Sequence, residues 1–143
     1  MLKKSVTSEI LYNQTILRHS KTPLNFGRIK NPTHFATTEN PVCGDKISLY
    51  MSEQNSILQD VKFTGEGCAI CLASASLMTE IIKFKPVKDA RELFHLFESY
   101  LKKGFPENPG ELDLFKAFGV IKKYPVRLKC VLLPWDAFID CFK

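Results

Sequence analysis

In Lys46-Ile47-Ser48-Leu49-Tyr50-Met51 every second residue is apolar, so Ile47, Leu49 and Met51 share one face of an extended strand. The stretch from Ile57 to Thr64 repeats the pattern with Val61 and Phe63, and the polar residues Ser52 to Ser56 between them read as a turn. His34 to Glu39, rich in Phe and Thr, gives a further short strand that Asn40-Pro41 ends. Three such segments in succession predict an antiparallel meander.

The period changes on either side of this block. Ile10, Leu11, Ile16 and Leu17 recur at roughly helical spacing, with Ser8 as N-cap and Pro23 beyond the end. They predict a first helix over residues 8–20, followed by a turn-rich connection from Pro23 to Pro32. After Cys68 no strong breaker appears before Pro86, which predicts a helix from Ala69 to Phe84 with Ile70, Leu77, Met78, Ile81 and Ile82 as its apolar positions. Asp89 followed by Glu92 resembles a capping box for the next helix, whose stripe is Leu93, Phe94, Phe97 and Leu101 and whose stop is Gly104. A loop from Pro106 to Gly110, a short helix with Leu112, Phe115 and Phe118, and a closing helix over 126–142 interrupted at Pro134 complete the chain. Strands first and helices later predict an α+β fold: a small antiparallel sheet of about three strands with helices on one face.

Length adds that residues 1–143 fit a single domain, since a chain of about 150 residues buries roughly 68–70% of its unfolded surface. With 45% hydrophobic and 24% charged residues the composition is that of an ordinary globular protein, not a disordered or fibrous one. The first residues carry two lysines without an apolar run behind them, and no segment approaches membrane-spanning length, so neither a signal peptide nor a membrane partner is expected. Five cysteines without a secretory signal read as thiols or metal ligands in a reducing, cytoplasmic compartment rather than as a disulfide framework. The net charge of +5 is dispersed and interrupted by acidic residues, which argues against a nucleic-acid partner. Lys83, Lys85, Lys88 and Arg91 read as a solvated face, whereas Lys122, Lys123, Arg127 and Lys129 lead straight into Cys130. There a partner-facing or thiolate-stabilising role is a candidate. His19 and His34 lack a second ligand at turn or helical spacing and read as surface or core residues.

The chemistry lies in the cysteines. Gly65 and Gly67 allow a sharp turn that sets Cys68 at a helix N-terminus, where unpaired N–H groups and the helix dipole favour a thiolate. Cys43 and Asp45 flank Gly44 in a turn opened by Asn40-Pro41, so both can converge on one ion as a half-site for Zn or Fe. Cys68 and Cys130 could close a tetrahedron of three sulfurs and one oxygen. For any single cysteine an inert core role is the competing reading, and Cys141, among Phe138, Ile139 and Phe142, fits it best. Cys68-Ala69-Ile70-Cys71 is also a C-x-x-C. A zinc ribbon would need a second such pair and a thioredoxin-like dithiol a parallel sheet, so the redox reading ranks below the metal one.

Three ordered motifs resemble the U-type iron–sulfur cluster assembly proteins (IscU, SufU and NifU N-terminal-like). They are Asn40-Pro41-Val42-Cys43-Gly44-Asp45, Gly65-Glu66-Gly67-Cys68-Ala69-Ile70 and Arg127-Leu128-Lys129-Cys130, and Leu11-Tyr12 with Ile16 and His19 looks like the family's first helix. The region from Pro106 to Tyr124 resembles the insertion of the SufU branch, and Lys129 stands where the IscU branch has His. The resemblance implies a SufE/NifU-like fold and a metal site of Cys43, Asp45, Cys68 and Cys130, a protonated lysine being unable to ligate. It implies Zn²⁺ as the resting metal, with a transient [2Fe-2S] cluster as the alternative occupant. It also implies a SufS-like, PLP-dependent cysteine desulfurase as sulfur donor, Cys43 as sulfur acceptor, and downstream cluster-assembly or acceptor proteins as recipients. Cys71 departs from the family, which more often has Ser there, and both it and Cys141 are expected to be dispensable for metal. The competing function is a structural zinc protein acting as a binding module, whose site would stay closed where a transfer site must release a thiolate.

Overall fold

The computed structural model describes the backbone of residues 2–143 and the side chains of residue 10 and residues 12–143. Strands β1 (His34–Asn40), β2 (Asp45–Gln54) and β3 (Ile57–Glu66) form one antiparallel sheet in the order β1-β2-β3, as the alternation predicts. The register sets Leu49 opposite Ala36 on one side and Phe63 on the other, and Met51 opposite Val61. Ile47, Leu49, Met51, Val61 and Phe63 are fully buried, whereas Phe35 and Tyr50 pair on the opposite face with ring centroids 5.1 Å apart. The helices therefore cover one face of the sheet. The β2–β3 connection is tighter than residues 52–56: the strands run through to Gln54 and Ile57, leaving Asn55 and Ser56 with φ of 56° and 65°. Two successive positive φ values make the hairpin turn whose twist matches that of its strands.

Helices α2 (Ala69–Ile82) and α4 (Pro125–Asp140) lie on the sheet, α1 (Leu2–Lys21) packs on α2, and α3 (Val87–Lys103) with a run of 3-10 turns over Gly110–Lys123 closes the outer side. Trp135 of α4 is fully buried, with the rings of Phe97, Phe115 and Phe94 at 5.3, 5.7 and 6.1 Å. Leu112, Phe115 and Phe118 are buried as their spacing predicts. Gly104, at φ 113°, ends α3 as expected. Among the described residues no helix is long and apolar enough to cross a membrane.

Four boundaries differ from the sequence expectation. α1 starts at Leu2, so Ser8 is inside the helix rather than at its cap; the side chains of Ser8 and Leu11 lie outside the described residues. Of the expected stripe Ile16 is buried while Ile10 and Leu17 are exposed, and the inner face is instead Tyr12, Ile16 and His19. Its anchor is Ser76 of α2, whose Oγ lies 2.9 Å from His19 Nδ1 and accepts the Leu24 N–H at 2.8 Å. α2 ends at Ile82 rather than Phe84, because residues 84–87 turn to bond the start of β3: Phe84 N–H to Leu58 O at 2.7 Å, Leu58 N–H to Lys85 O at 2.9 Å. α3 begins at Val87 after Pro86, which places Asp89 in its first turn without a side-chain cap bond, so the Asp89/Glu92 box does not form. The last helix ends at Asp140 with Pro134 inside it.

Candidate metal centre

Three pieces of backbone meet at one corner of the sheet. The β1–β2 hairpin tip presents Cys43, since Asn40 and Asp45 are the last paired residues of the ladder. Asn40 holds that tip through its own carbonyl, which accepts from Gly44 N–H at 2.8 Å and Cys43 N–H at 3.2 Å. Its side-chain oxygen also accepts from Val42 N–H at 3.3 Å. Gly44 turns the chain at φ 75°, so Cys43 is exposed while Asp45, two residues on, is 1% exposed.

The second piece is the β3–α2 junction. Gly67 sits at φ 144°, and a Cβ there would overlap Asp45 Oδ1 and lie 2.8 Å from Asp45 Cα. Only glycine lets this junction pass so close to the carboxylate. The approach makes Asp45 the cap of α2: Oδ1 accepts the Cys68 N–H at 2.8 Å, and Oδ2 accepts from the Cys68 thiol at 3.7 Å. The third piece is α4, which delivers Cys130, fully buried, with its thiol donating to Cys43 Sγ at 3.9 Å.

Cys43, Asp45 and Cys130 place their ligand atoms within 4.8 Å of one another. Cys68 borders this group, its thiol lying on Asp45 Oδ2 and acting on the Cys130 thiol. A zinc tetrahedron with bonds of about 2.0–2.3 Å separates neighbouring ligand atoms by about 3.3–3.8 Å. The 3.7 Å contact of Cys68 with the Asp45 carboxylate falls within that range and the 3.9 Å Cys43–Cys130 sulfur pair just above it, and thiolates with one carboxylate suit zinc. The residues therefore fit a zinc ion. Burial first, then the neighbouring Cys68 and Asp45, push the Cys130 thiol above its ordinary range.

The remaining cysteines face the core. Burial pushes Cys71 well up, with Asp45, Cys68 and Cys43 adding to it, and raises Cys141 to about 12. Tyr12 adjoins the thiols: burial raises its hydroxyl, and Arg127, Cys68, Cys130 and Tyr124 are the charged or titratable groups acting on it. The first basic cluster is largely spent within the chain, on Lys83–Asp60 at 3.6 Å, Lys85–Glu111 at 2.6 Å and Arg91 over the Phe142 ring at 5.1 Å. Lys122, Lys123, Arg127 and Lys129 are exposed, and Arg127 is among the groups acting on Tyr12. His34 bonds Glu53 at 2.6 Å and His19 bonds Ser76, both away from the thiols. The capping of α2 by Asp45 was not legible in sequence, because the pair is joined only by the fold.

The comparisons with known proteins concern this same set of elements. Residues 11–128 match the model of the NifU-like N-terminal domain. The chain is 37% identical over 129 residues to the zinc-dependent sulfurtransferase SufU of Bacillus subtilis (strain 168), which covers 90% of this chain and 87% of that one. It is 34% identical over 137 residues to the iron–sulfur cluster assembly scaffold protein IscU of Thermotoga maritima, covering 94% of each. Among solved structures it is similar to one described as an iron–sulfur cluster assembly scaffold protein for the SUF system from Fervidobacterium islandicum AW-1. There the TM-score is 0.85 at 33% identity, covering 94% of this chain and 98% of that one. A NifU-like N-terminal protein from Brucella abortus superposes with a TM-score of 0.83 at 25% identity over 92% of each chain. With the hairpin tip and the glycine junction inside the matched span, and the start of the last helix at its end, the chain belongs to the family of NifU-like N-terminal domains.

Proposed function

We propose that this chain works as a single-domain, SufU-like protein of iron–sulfur cluster assembly in a reducing, cytoplasmic setting. It takes sulfane sulfur on Cys43 from a PLP-dependent cysteine desulfurase and passes it to downstream assembly or acceptor proteins. Cys43, Asp45, Cys68 and Cys130 hold Zn²⁺ at rest, and a [2Fe-2S] cluster is the alternative occupant. The observation that carries this reading is the meeting of an exposed thiol, a buried thiol and a buried carboxylate within 4.8 Å. Similarity to a zinc-dependent sulfurtransferase supports it.

Bound zinc would keep the cysteines as thiolates without redox chemistry of its own. Cys43 is the thiol that can leave the group, because it sits on a glycine-flanked hairpin tip while Cys68 and Cys130 start or sit within helices. Its thiolate attacks the outer sulfur of the donor persulfide; the donor's S–S bond breaks and the donor cysteine departs as thiolate, with no net oxidation. Asp45, held by the Cys68 N–H, keeps the tip next to the site meanwhile. The test is incubation of the zinc-loaded protein with a desulfurase and cysteine, followed by mapping of the persulfide by mass spectrometry. Label on Cys43 is expected, and label mainly on Cys130 or Cys68 overturns the assignment. A structural zinc module would show no transfer at all, and the exposure of Cys43 counts against such a closed site.

A further inference from the structure

The thiol of Cys130 donates to the Cys43 sulfur at 3.9 Å, and the two differ sharply in access: Cys43 is exposed and Cys130 fully buried. Resting on the reading of Cys43 as acceptor, we propose that Cys130 is the resolving cysteine. It attacks the inner sulfur of the Cys43 persulfide, forms a Cys43–Cys130 disulfide and frees the carried sulfur as hydrogen sulfide.

The step balances within the chain. The bond between Cys43 Sγ and the outer sulfur breaks, and a bond between Cys43 Sγ and Cys130 Sγ forms. The outer sulfur leaves with the bonding pair and gains two electrons, which the two cysteine sulfurs supply by becoming a disulfide. The Cys130 proton leaves with it, so a persulfide and a thiol become a disulfide and H₂S. Release itself needs no outside reductant; a dithiol reductant reopens the disulfide for the next round.

Geometry selects the partners and their order. Burial keeps external donors from Cys130, so sulfur arrives at the exposed tip first. Cys130 Sγ lies against Cys43 Sγ, the inner sulfur of such a persulfide, and in-line attack would leave the outer sulfur on the side away from Cys130, where an exposed residue lets it depart. The sulfurs must close from 3.9 Å to a disulfide bond of about 2.05 Å. The tip can supply that movement, because Gly44 at φ 75° has open space around it. Cys71 and Cys141 do not compete: Cys71 is packed into the core and Cys141 lies at the far end of α4.

The test uses metal-free protein loaded in a single turnover by a persulfidated desulfurase freed of cysteine and other thiols. Wild type is expected to release close to one sulfide per chain and to yield a Cys43–Cys130 disulfide peptide. Cys130→Ser should keep the persulfide on Cys43 while sulfide release falls at least roughly tenfold. Cys130→Ala, checked with it by circular dichroism, guards against misfolding of a single variant. Zinc-loaded wild type, with Cys130 engaged, should retain its persulfide. Persulfide on Cys43 with equal sulfide release from wild type and Cys130→Ser, or a disulfide of Cys43 with Cys68 instead, overturns the inference and leaves the acceptor reading standing. No persulfide on Cys43 in the Cys130→Ser protein overturns the acceptor reading itself.

Discussion

Gly67→Ala tests how far the centre depends on one missing Cβ. The residue sits at φ 144°, a region nearly confined to glycine, and holding alanine there costs about 1–3 kcal/mol. The new methyl would also overlap Asp45 Oδ1 and come within 2.8 Å of Asp45 Cα and 2.9 Å of its Cγ. Crowding of that kind costs about 1–3 kcal/mol more, and it falls both on the Asp45 backbone and on a buried carboxylate already held by the Cys68 N–H. The total of about 2–6 kcal/mol is a large part of the 5–15 kcal/mol that typically stabilises a domain. Gly44→Ala is the control: its φ of 75° carries a strain of about 1–2 kcal/mol, with no atom within 4 Å of the added carbon. Urea denaturation of both variants, with zinc stoichiometry measured beside it, should show Gly67→Ala to be the less stable and depleted of zinc, and Gly44→Ala to be mildly destabilised with zinc retained. Equal stability and equal zinc in the two would refute the argument that Asp45 is what Gly67 makes room for.

Asp45→Asn keeps an oxygen for the Cys68 N–H and should lose zinc with little loss of stability, whereas Asp45→Ala should lose the cap as well, about 0.5–2 kcal/mol by thermal or urea melts. Cys68→Ala should lower zinc content sharply, since structural zinc binding is worth about 10–16 kcal/mol; full retention by metal analysis would remove Cys68 from the ligand set. Cys71→Ser should retain stoichiometric zinc and melt lower, because it places a hydroxyl at a fully buried position; zinc loss would make the C-x-x-C the true site. Burial, then Arg18, lowers the His19 pKa, so the unfolded chain binds that proton more readily and stability should fall as pH drops through the ordinary histidine range. Melts of wild type and His19→Gln across pH 5–8 check this, the variant being expected to show the weaker dependence.

Strand alternation made the sheet, its burial face and its order readable, because a period of two leaves one register that buries Ile47, Leu49 and Met51 together. The glycine turn before Cys68 and the stop at Gly104 were readable for the same local reason. What local pattern did not carry was α1, where the inner face is set by what Ser76 offers to His19 and Leu24 rather than by hydrophobicity. The ends of α2 and α3 are likewise decided by hydrogen bonds from residues 84–87 to the start of β3. At the site, Cys43, Asp45 and Cys130 come together as their motifs imply, and the ordering of access among them, exposed Cys43 before buried Cys130, is tertiary. So is the double use of Asp45 as cap and candidate ligand, since its partner lies 23 residues away.

The hairpin tip has a kinetic consequence. Because Asn40 and Asp45 close the ladder, residues 41–44 form a short tether whose ends are fixed when the sheet folds. A thiol on such a tether meets its neighbours at an effective concentration on the order of millimolar or above, whatever the dilution of the protein. Any donor that lifts Cys43 away therefore competes with groups that never diffuse off. Under the proposed function, delivery of sulfur at this tip would be governed by how long the tip is held open, while the return of Cys43 to its neighbours is first order, independent of how much protein is present.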